Sequence, residues 1–314
     1  MAINRRDVSF PTVDGITLRG WFYSAGGRGK RPCIIMAHGV RFPSICFECT
    51  LISTKLAGLK EQFLPSFAER FQAAGYSVLL YDHRNWGSSD GLPRSETDPI
   101  QQARDFSDAF DFVSSLEEVD NAKIVYWGTS MSGGAVLHAA ALDKRIRAVI
   151  SQVPFVTGES MSALFATISP SIYASRQQVK AGSAPTLMKM FPETSEDADP
   201  STIMHDPNLI PSLKALEKQN LSFSPSVTPQ TFLHLLAFEP LVFVHRIAPT
   251  ALLVVVADSD NTAGTSAQLK AYASAYEPKR MVLLENSGHF DAYHGQGFEK
   301  NIKEQLAFLK EFCI

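Results

Sequence analysis

Apolar and polar positions along this chain change period several times, and each change marks an element. Alternation through Val8–Pro11 and Ile16–Ser24, around Val13-Asp14-Gly15, predicts a hairpin. Largely apolar runs at Cys33–Ala37, Ser77–Tyr81, Ile124–Trp127, Ile146–Ser151, Leu252–Ala257 and Met281–Leu284 read as strands buried on both faces. Phe63–Ala74, closed by Gly75, has helical spacing. So does Gln101–Leu116, with Phe106, Phe110 and Val113 on one side. The small-residue run Ala135–Ala141 and the stretch Phe298–Phe312 complete the helices. Strands alternating with helices predict the α/β class: a mostly parallel central sheet with helices on both faces, in a single domain spanning 1–314.

Between Pro154 and Ile247 the alternation lapses. This stretch is rich in proline, serine, methionine and phenylalanine, and it enters after the strand that follows the 135–141 helix. It is expected to be an inserted lid, 154–247. Most of Phe165, Tyr173, Met188, Met190, Phe191, Phe223, Phe232 and Phe238 would form the lid's own core, and a minority would line an apolar pocket.

Gly128-Thr129-Ser130-Met131-Ser132-Gly133-Gly134 lies between a buried strand and a helix. A serine there sits on a sharp turn with its hydroxyl exposed, and small neighbours keep the turn free of collisions. The pattern is that of a nucleophile elbow centred on Ser130, with Ser132 standing where a second glycine is usual. A rival register centres on Ser132 with Gly134 as the second glycine. It needs the strand to continue through Gly128 and Thr129, and glycine inside a buried strand is unfavourable. Ser130 is therefore preferred.

A serine hydroxyl needs a base and the base an orienting acid, and the chain supplies both downstream, in the order Ser, Asp, His. The run Leu252–Ala257 leads into Asp258-Ser259-Asp260, and Met281–Leu284 leads into Glu285-Asn286-Ser287-Gly288-His289. Each group falls just past a strand's C-terminal end, where open α/β sheets collect catalytic groups. Of eight histidines, His289 alone has this strand, loop and Gly-His placement. Asp260 is the preferred acid by its spacing from the strand. Asp258 is the alternative, or else a cap for a helix beginning near Thr262, and Glu285 is a third option. The oxyanion would rest on the N–H of Met131 and on one from the loop after the third strand, either Val40 or Leu56.

Composition narrows the classes. The 314 residues carry 29 basic and 32 acidic side chains, a net charge of −3 with no basic stripe, which argues against nucleic-acid binding. No apolar stretch approaches a membrane span, and Met1–Gly20 lacks a signal peptide's apolar run. Cys33 falls in a buried strand, so a disulfide framework is not expected and an intracellular setting is. Cys46-Phe47-Glu48-Cys49 has ligand-like spacing, but no second Cys or His pair stands nearby, so the pair reads as incidental.

Asp14-Gly15-Ile16-Thr17-Leu18-Arg19-Gly20, Tyr81–Gly91, Trp127–Gly134 and Gly288-His289-Phe290-Asp291-Ala292-Tyr293 together resemble one known group. This is the fungal polyketide-transferase-type α/β-hydrolases of secondary-metabolite gene clusters, host-selective toxin clusters among them, with thiohydrolases that release polyketide chains. The similarity covers nearly the whole chain. It implies the α/β-hydrolase fold, no metal or organic cofactor, and serine chemistry on an acyl ester or thioester. The acyl group would be a polyketide or medium-chain fatty acyl, free or bound to a carrier or coenzyme A. It would pass to water or, as the alternative, to an alcohol; a non-catalytic binding protein on the same fold is the second alternative. The implied setting is the cytoplasm, or the peroxisome for an acyl-CoA pathway, although the terminal Phe-Cys-Ile is not the S-K-L address. One segment departs from the group. Sixteen residues, Val40–Lys55, separate His38-Gly39 from the loop Leu56–Leu64 that usually follows almost at once. They read either as a translated intron, bounded by a valine codon that starts with GT and a lysine codon that can end in AG, or as a family-specific loop. The transcript decides between them.

Overall fold

A computed structural model describes residues 4–39, 59–192, 194–196, 202–203, 206, 209–218 and 226–313. The Val40–Lys55 segment, with Cys46 and Cys49, lies outside them. The hairpin forms as expected: β1 (Arg5–Pro11) pairs antiparallel with β2 (Thr17–Tyr23). Its turn is closed from within, Thr12 Oγ1 accepting the Ile16 N–H at 2.9 Å. There follow β3 (Arg31–Ala37), α1 (Leu64–Ala73), β4 (Ser77–Asp82), α2 (Pro99–Ser114), β5 (Val119–Thr129), α3 (Met131–Leu142) and β6 (Ala148–Gln152). The 154–247 stretch contributes α4 (Ser162–Lys180), β7 (Met188–Lys189), α5 (Leu209–Glu217), β8 (Ser226–Val227) and α6 (Gln230–Leu236). Then come β9 (Ala251–Ala257), α7 (Thr265–Ser274), β10 (Lys279–Leu284) and α8 (Gly295–Cys313).

Eight strands form one sheet in the order β1-β2-β4-β3-β5-β6-β9-β10. Within this sheet, among the described residues, the β1–β2 and β2–β4 pairings are antiparallel and the others parallel. The apolar runs of β3, β4, β5, β6 and β9 have no polar alternation because these central strands bury both faces. β10, at the sheet edge, leaves Leu283 exposed, contrary to the expectation for Met281–Leu284. Ile34 and Met36 of β3 pack with Phe67 of α1 and Leu309 of α8, whereas Cys33, Ile35 and Ala37 pack with Phe106 of α2 and Val136 of α3. Helix starts follow local chemistry. Asp98 caps α2 by accepting the N–H groups of Ile100 and Gln101, with Pro99 in the first turn.

Two boundaries differ from expectation in ways that bear on the site. β5 runs on through Gly128 and Thr129, and α3 begins at Met131 rather than Ala135. The strand thus extends through Gly128, contrary to the expectation that a glycine would end it. Glycine is needed there because a side chain would collide with the carbonyl oxygen of Ser132, where the first turn of α3 crosses the strand end. The 154–247 stretch also packs as an extension of the sheet's own core, not as a separate cluster. Leu213, Phe232 and Phe238 share one apolar cluster with Trp127 and Val255.

Candidate active site

Ser130 occupies the turn between β5 and α3 with φ 58° and ψ −124°. Such a backbone costs a non-glycine residue about 1–3 kcal/mol, so its surroundings must enforce it. They do so through the main chain. The Ser130 N–H donates to Gln152 O at 2.9 Å, and the Ser130 carbonyl accepts from Phe155 N at 2.9 Å and Gly134 N at 3.2 Å. At Gly39, just past β3, a Cβ would lie 2.7 Å from that of Ser130, so the chain passes close against the serine.

His289 opens a 3-10 turn, His289–Tyr293, and is 2% exposed. Its Nε2 lies 3.0 Å from Ser130 Oγ and its Nδ1 2.7 Å from Asp260 Oδ2. A carboxylate only accepts, so the proton is on Nδ1 and Nε2 is left to accept the serine hydroxyl's hydrogen. Asp260 is held in place on every side. Oδ1 accepts from Thr262 N at 2.9 Å and Ala263 N at 2.7 Å, and Oδ2 also accepts from Gln268 Nε2 at 2.7 Å. Burial pushes this carboxyl's pKa up, but the attraction of His289 and these donors outweigh it and hold it below the ordinary value of 3.8.

The other candidates fall elsewhere. Ser132 lies inside α3, fully buried, its Oγ 3.2 Å from His83 Nε2; its place in the helix, not the length of β5, sets it apart from Ser130. Asp258 faces solvent and accepts the N–H groups of Asn286 at 2.7 Å and Ser287 at 3.0 Å. It does not cap a helix near Thr262. The side chain that takes the N–H of Thr262 is Asp260's, and α7 begins at Thr265. Glu285 is exposed and pairs with Lys300 at 3.8 Å. Met131 is the first residue of α3, so its N–H is one the helix cannot satisfy internally. Val40 and Leu56, the two candidates for the partner donor, lie outside the described residues.

A narrow cavity of about 60 Å³ opens at Ser130, lined by Met131, Phe155, Met161, Met190, Phe191 and Leu235, with Thr262 and Ala263 at the acid loop. Of the aromatics and methionines singled out in the 154–247 stretch, Met190 and Phe191 line it. Phe232 and Phe238 are buried in the core, Tyr173 is exposed and Phe223 is outside the described residues.

Sequence reasoning missed a buried polar group beside the elbow. Asp82, at the end of β4, accepts from Lys60 Nζ at 2.7 Å, Lys60 N at 3.0 Å and Ser88 N at 3.0 Å, with His38 Nε2 at 3.9 Å. Burial raises the Asp82 carboxyl's pKa, but the charges of Lys60 and His38 hold it below the ordinary value. The pair ties the chain arriving at residue 60 to the strand ends around Ser130. The polar run Asp82-His83-Arg84 directly after a buried strand was the available signal. Among the described residues, no group of three or more His, Cys, Asp or Glu is placed to hold a metal ion, and no helix is long and apolar enough to cross a membrane.

A mostly parallel sheet, a serine on a strained strand-to-helix turn, and an acid and a histidine on the loops after two later strands define an α/β-hydrolase. Residues 56–295 match the family model of the alpha/beta hydrolase fold. A polyketide transferase of Stachybotrys chlorohalonatus is 34% identical over 98% of this chain and 97% of its own. A thiohydrolase of Aspergillus aculeatus is 30% identical over 97% and 92%. The crystal structure of the alpha/beta hydrolase GrgF from a Penicillium species superposes with a TM-score of 0.81 at 29% identity, covering 99% of both chains. The chain belongs to the alpha/beta hydrolase fold family, within its fungal polyketide-transferase and thiohydrolase group. It is an enzyme of the kind that hydrolyses esters or thioesters or transfers acyl groups.

Proposed function

We propose that Ser130, His289 and Asp260 form a catalytic triad that releases a medium-chain or polyketide acyl group from a thioester or ester. The single observation carrying this reading is the hydrogen-bond chain from Asp260 through His289 to Ser130, at 2.7 and 3.0 Å, at the mouth of an apolar cavity. His289, oriented by Asp260, takes the proton of Ser130 as its Oγ attacks the acyl carbonyl. The oxyanion sits on the N–H of Met131 and on a donor from the loop after Gly39, for which Val40 and Leu56 are the candidates. The tetrahedral intermediate collapses, the leaving thiol or alcohol takes the proton from His289, and water then resolves the acyl-enzyme by the same steps.

The 154–247 stretch acts as a lid on this reading. Met161, Met190 and Phe191 close the cavity, and methionine side chains are flexible enough to part for a longer chain. Binding energy comes from apolar burial, at about 0.8 kcal/mol per methylene. Relatives named as thiohydrolase and as polyketide transferase support hydrolysis and transfer alike, with hydrolysis preferred here and an alcohol the acceptor in the alternative. Where the substrate is a thioester, coenzyme A or a carrier would hold the acyl group.

A fluorophosphonate probe tests the chemistry, since it modifies an activated serine and ignores an inert one. Peptide mapping should place the label on Ser130. Product analysis with an octanoyl thioester, with and without candidate alcohols, then separates hydrolysis from transfer. Absence of label on the folded protein would falsify the triad reading.

A further inference from the structure

Behind the elbow, away from the cavity, lies a closed set of buried polar side chains that the proposed chemistry does not use. Gln152 at the end of β6 and Asn301 and Gln305 of α8 are fully buried, as is Thr129, the residue before Ser130; Tyr293, the last residue of the His289 turn, is 2% exposed. Gln152 Nε2 donates to Thr129 Oγ1 at 3.1 Å, and Thr129 Oγ1 lies 2.6 Å from the Tyr293 hydroxyl. Gln152 Oε1 accepts from Asn301 Nδ2 at 2.6 Å and Gln305 Nε2 at 2.9 Å. Asn301 Nδ2 donates also to Ala292 O at 3.1 Å, and Gln305 Nε2 to Asn301 Oδ1 at 2.7 Å. Gln305 Oε1 takes the indole N–H of Trp127 at 2.7 Å.

Each amide's orientation is fixed by the next, because turning any one would set donor against donor. Elsewhere this face of α8 carries Ile302, Phe308 and Leu309, which join the apolar cluster under the sheet. The polar bonds of α8 instead go to Trp127 of β5, to Gln152 of β6, whose main-chain carbonyl takes the Ser130 N–H, and to Ala292 O in the turn that opens with His289, while Tyr293 of that turn bonds Thr129. Upstream, the loop leading into this turn is pinned by Asp258, which accepts the N–H groups of Asn286 and Ser287. The histidine's segment is thus fastened on both sides, once to the strand carrying the acid and once to the strand carrying the serine.

We propose that Thr129, Gln152, Tyr293, Asn301 and Gln305 are positioning residues that set His289 Nε2 against Ser130 Oγ. The proposal rests on the triad reading above and adds the device that holds two of its members in register. Released from Thr129, the turn that carries His289 and Tyr293 drifts relative to the elbow, and a displacement of about 1 Å is enough to slow an aligned proton transfer.

Tyr293→Phe removes one hydroxyl and leaves the Thr129–Gln152 bond in place, so it folds. Thr129→Val removes the hydroxyl that joins both partners, and Thr129→Ser restores it. Tyr293→Phe and Thr129→Val should each lower kcat on p-nitrophenyl octanoate, and the rate of fluorophosphonate labelling at Ser130, by about tenfold. KM should stay within about twofold of wild type. Thr129→Ser should return both rates to near the wild-type level, and the double variant should lose little beyond either single one. A lowered Tm with wild-type kcat and labelling rate per folded molecule overturns the proposal and leaves the network a purely structural feature. Failure of the unmodified protein to label at all removes the triad reading, and this proposal with it.

Discussion

Asp260→Asn tests the acid most sharply, because the structure dictates how the asparagine must fail. All four partners of the carboxylate are donors: Thr262 N, Ala263 N, Gln268 Nε2 and His289 Nδ1. An asparagine can offer one oxygen and must present its NH2 to the other pair. The two main-chain N–H groups cannot turn away, so the oxygen goes to them and the NH2 faces His289 and Gln268. The imidazole then relieves the clash by carrying its proton on Nε2, where it points at Ser130 Oγ and cannot accept the serine's hydrogen. The imidazolium formed in the reaction also loses its counter-charge. Together these effects cost on the order of 10⁴-fold in kcat, or about 5.5 kcal/mol of barrier. Stopped-flow acylation with p-nitrophenyl octanoate measures it directly. Stability gives a second readout. The Asp260 carboxyl is held below the ordinary value of 3.8, so its stabilising contribution is fully present above that value and is lost as pH falls through the depressed one. The wild type's Tm advantage over the variant should be flat from about pH 5 to 8 and shrink below about pH 4. Near-normal turnover in Asp260→Asn, with Asp258→Asn dead, would refute the assignment.

Ser130→Ala should abolish acyl-enzyme formation, whereas Ser132→Ala, which removes only the buried contact with His83, should slow it modestly; a dead Ser132→Ala checked by burst kinetics would reverse the register. Gly39→Ala should lower kcat on the order of 10²-fold, because the added methyl meets the Ser130 Cβ at 2.7 Å and displaces one of them; unchanged kcat would mean the loop yields freely. Specificity constants along an acyl series should rise from acetyl to octanoyl or decanoyl at up to about 0.8 kcal/mol per methylene, and a preference for acetyl would point to a small-ester hydrolase instead.

Local pattern carried the elements and pointed to Ser130, Asp260 and His289 as the candidates, because each of these signals lies within a few residues. Apolar runs marked the strands, and the strand-end positions of Asp260 and His289 follow from where α/β sheets place their loops. What failed depended on contacts distant in sequence. Gly128 looked like a strand breaker because nothing local says that α3 doubles back across it. Asp258 and Asp260 differ by two positions, yet only the fold shows that one faces the 286–287 loop and the other His289. Lys60 and Asp82 meet across 22 residues, and no period announces a buried ion pair. The Gln152 network was partly legible. Asn301 and Gln305 stand one helical turn apart on the same apolar face as Phe298, Ile302 and Leu309, and amides at such positions ask for a buried partner.

The apolar cluster that runs unbroken from Trp127 and Val255 into Leu213, Phe232 and Phe238 governs how this scaffold diversifies. Swapping the 154–247 stretch for a relative's disturbs the packing against the sheet before it changes specificity. Each transplanted side chain must fit the underside it lands on, where overpacking typically costs about 1–3 kcal/mol. Successful chimeras will therefore be those that carry the facing sheet residues along with the graft, and natural drift in acyl preference will be paced by paired changes on the two sides of that seam.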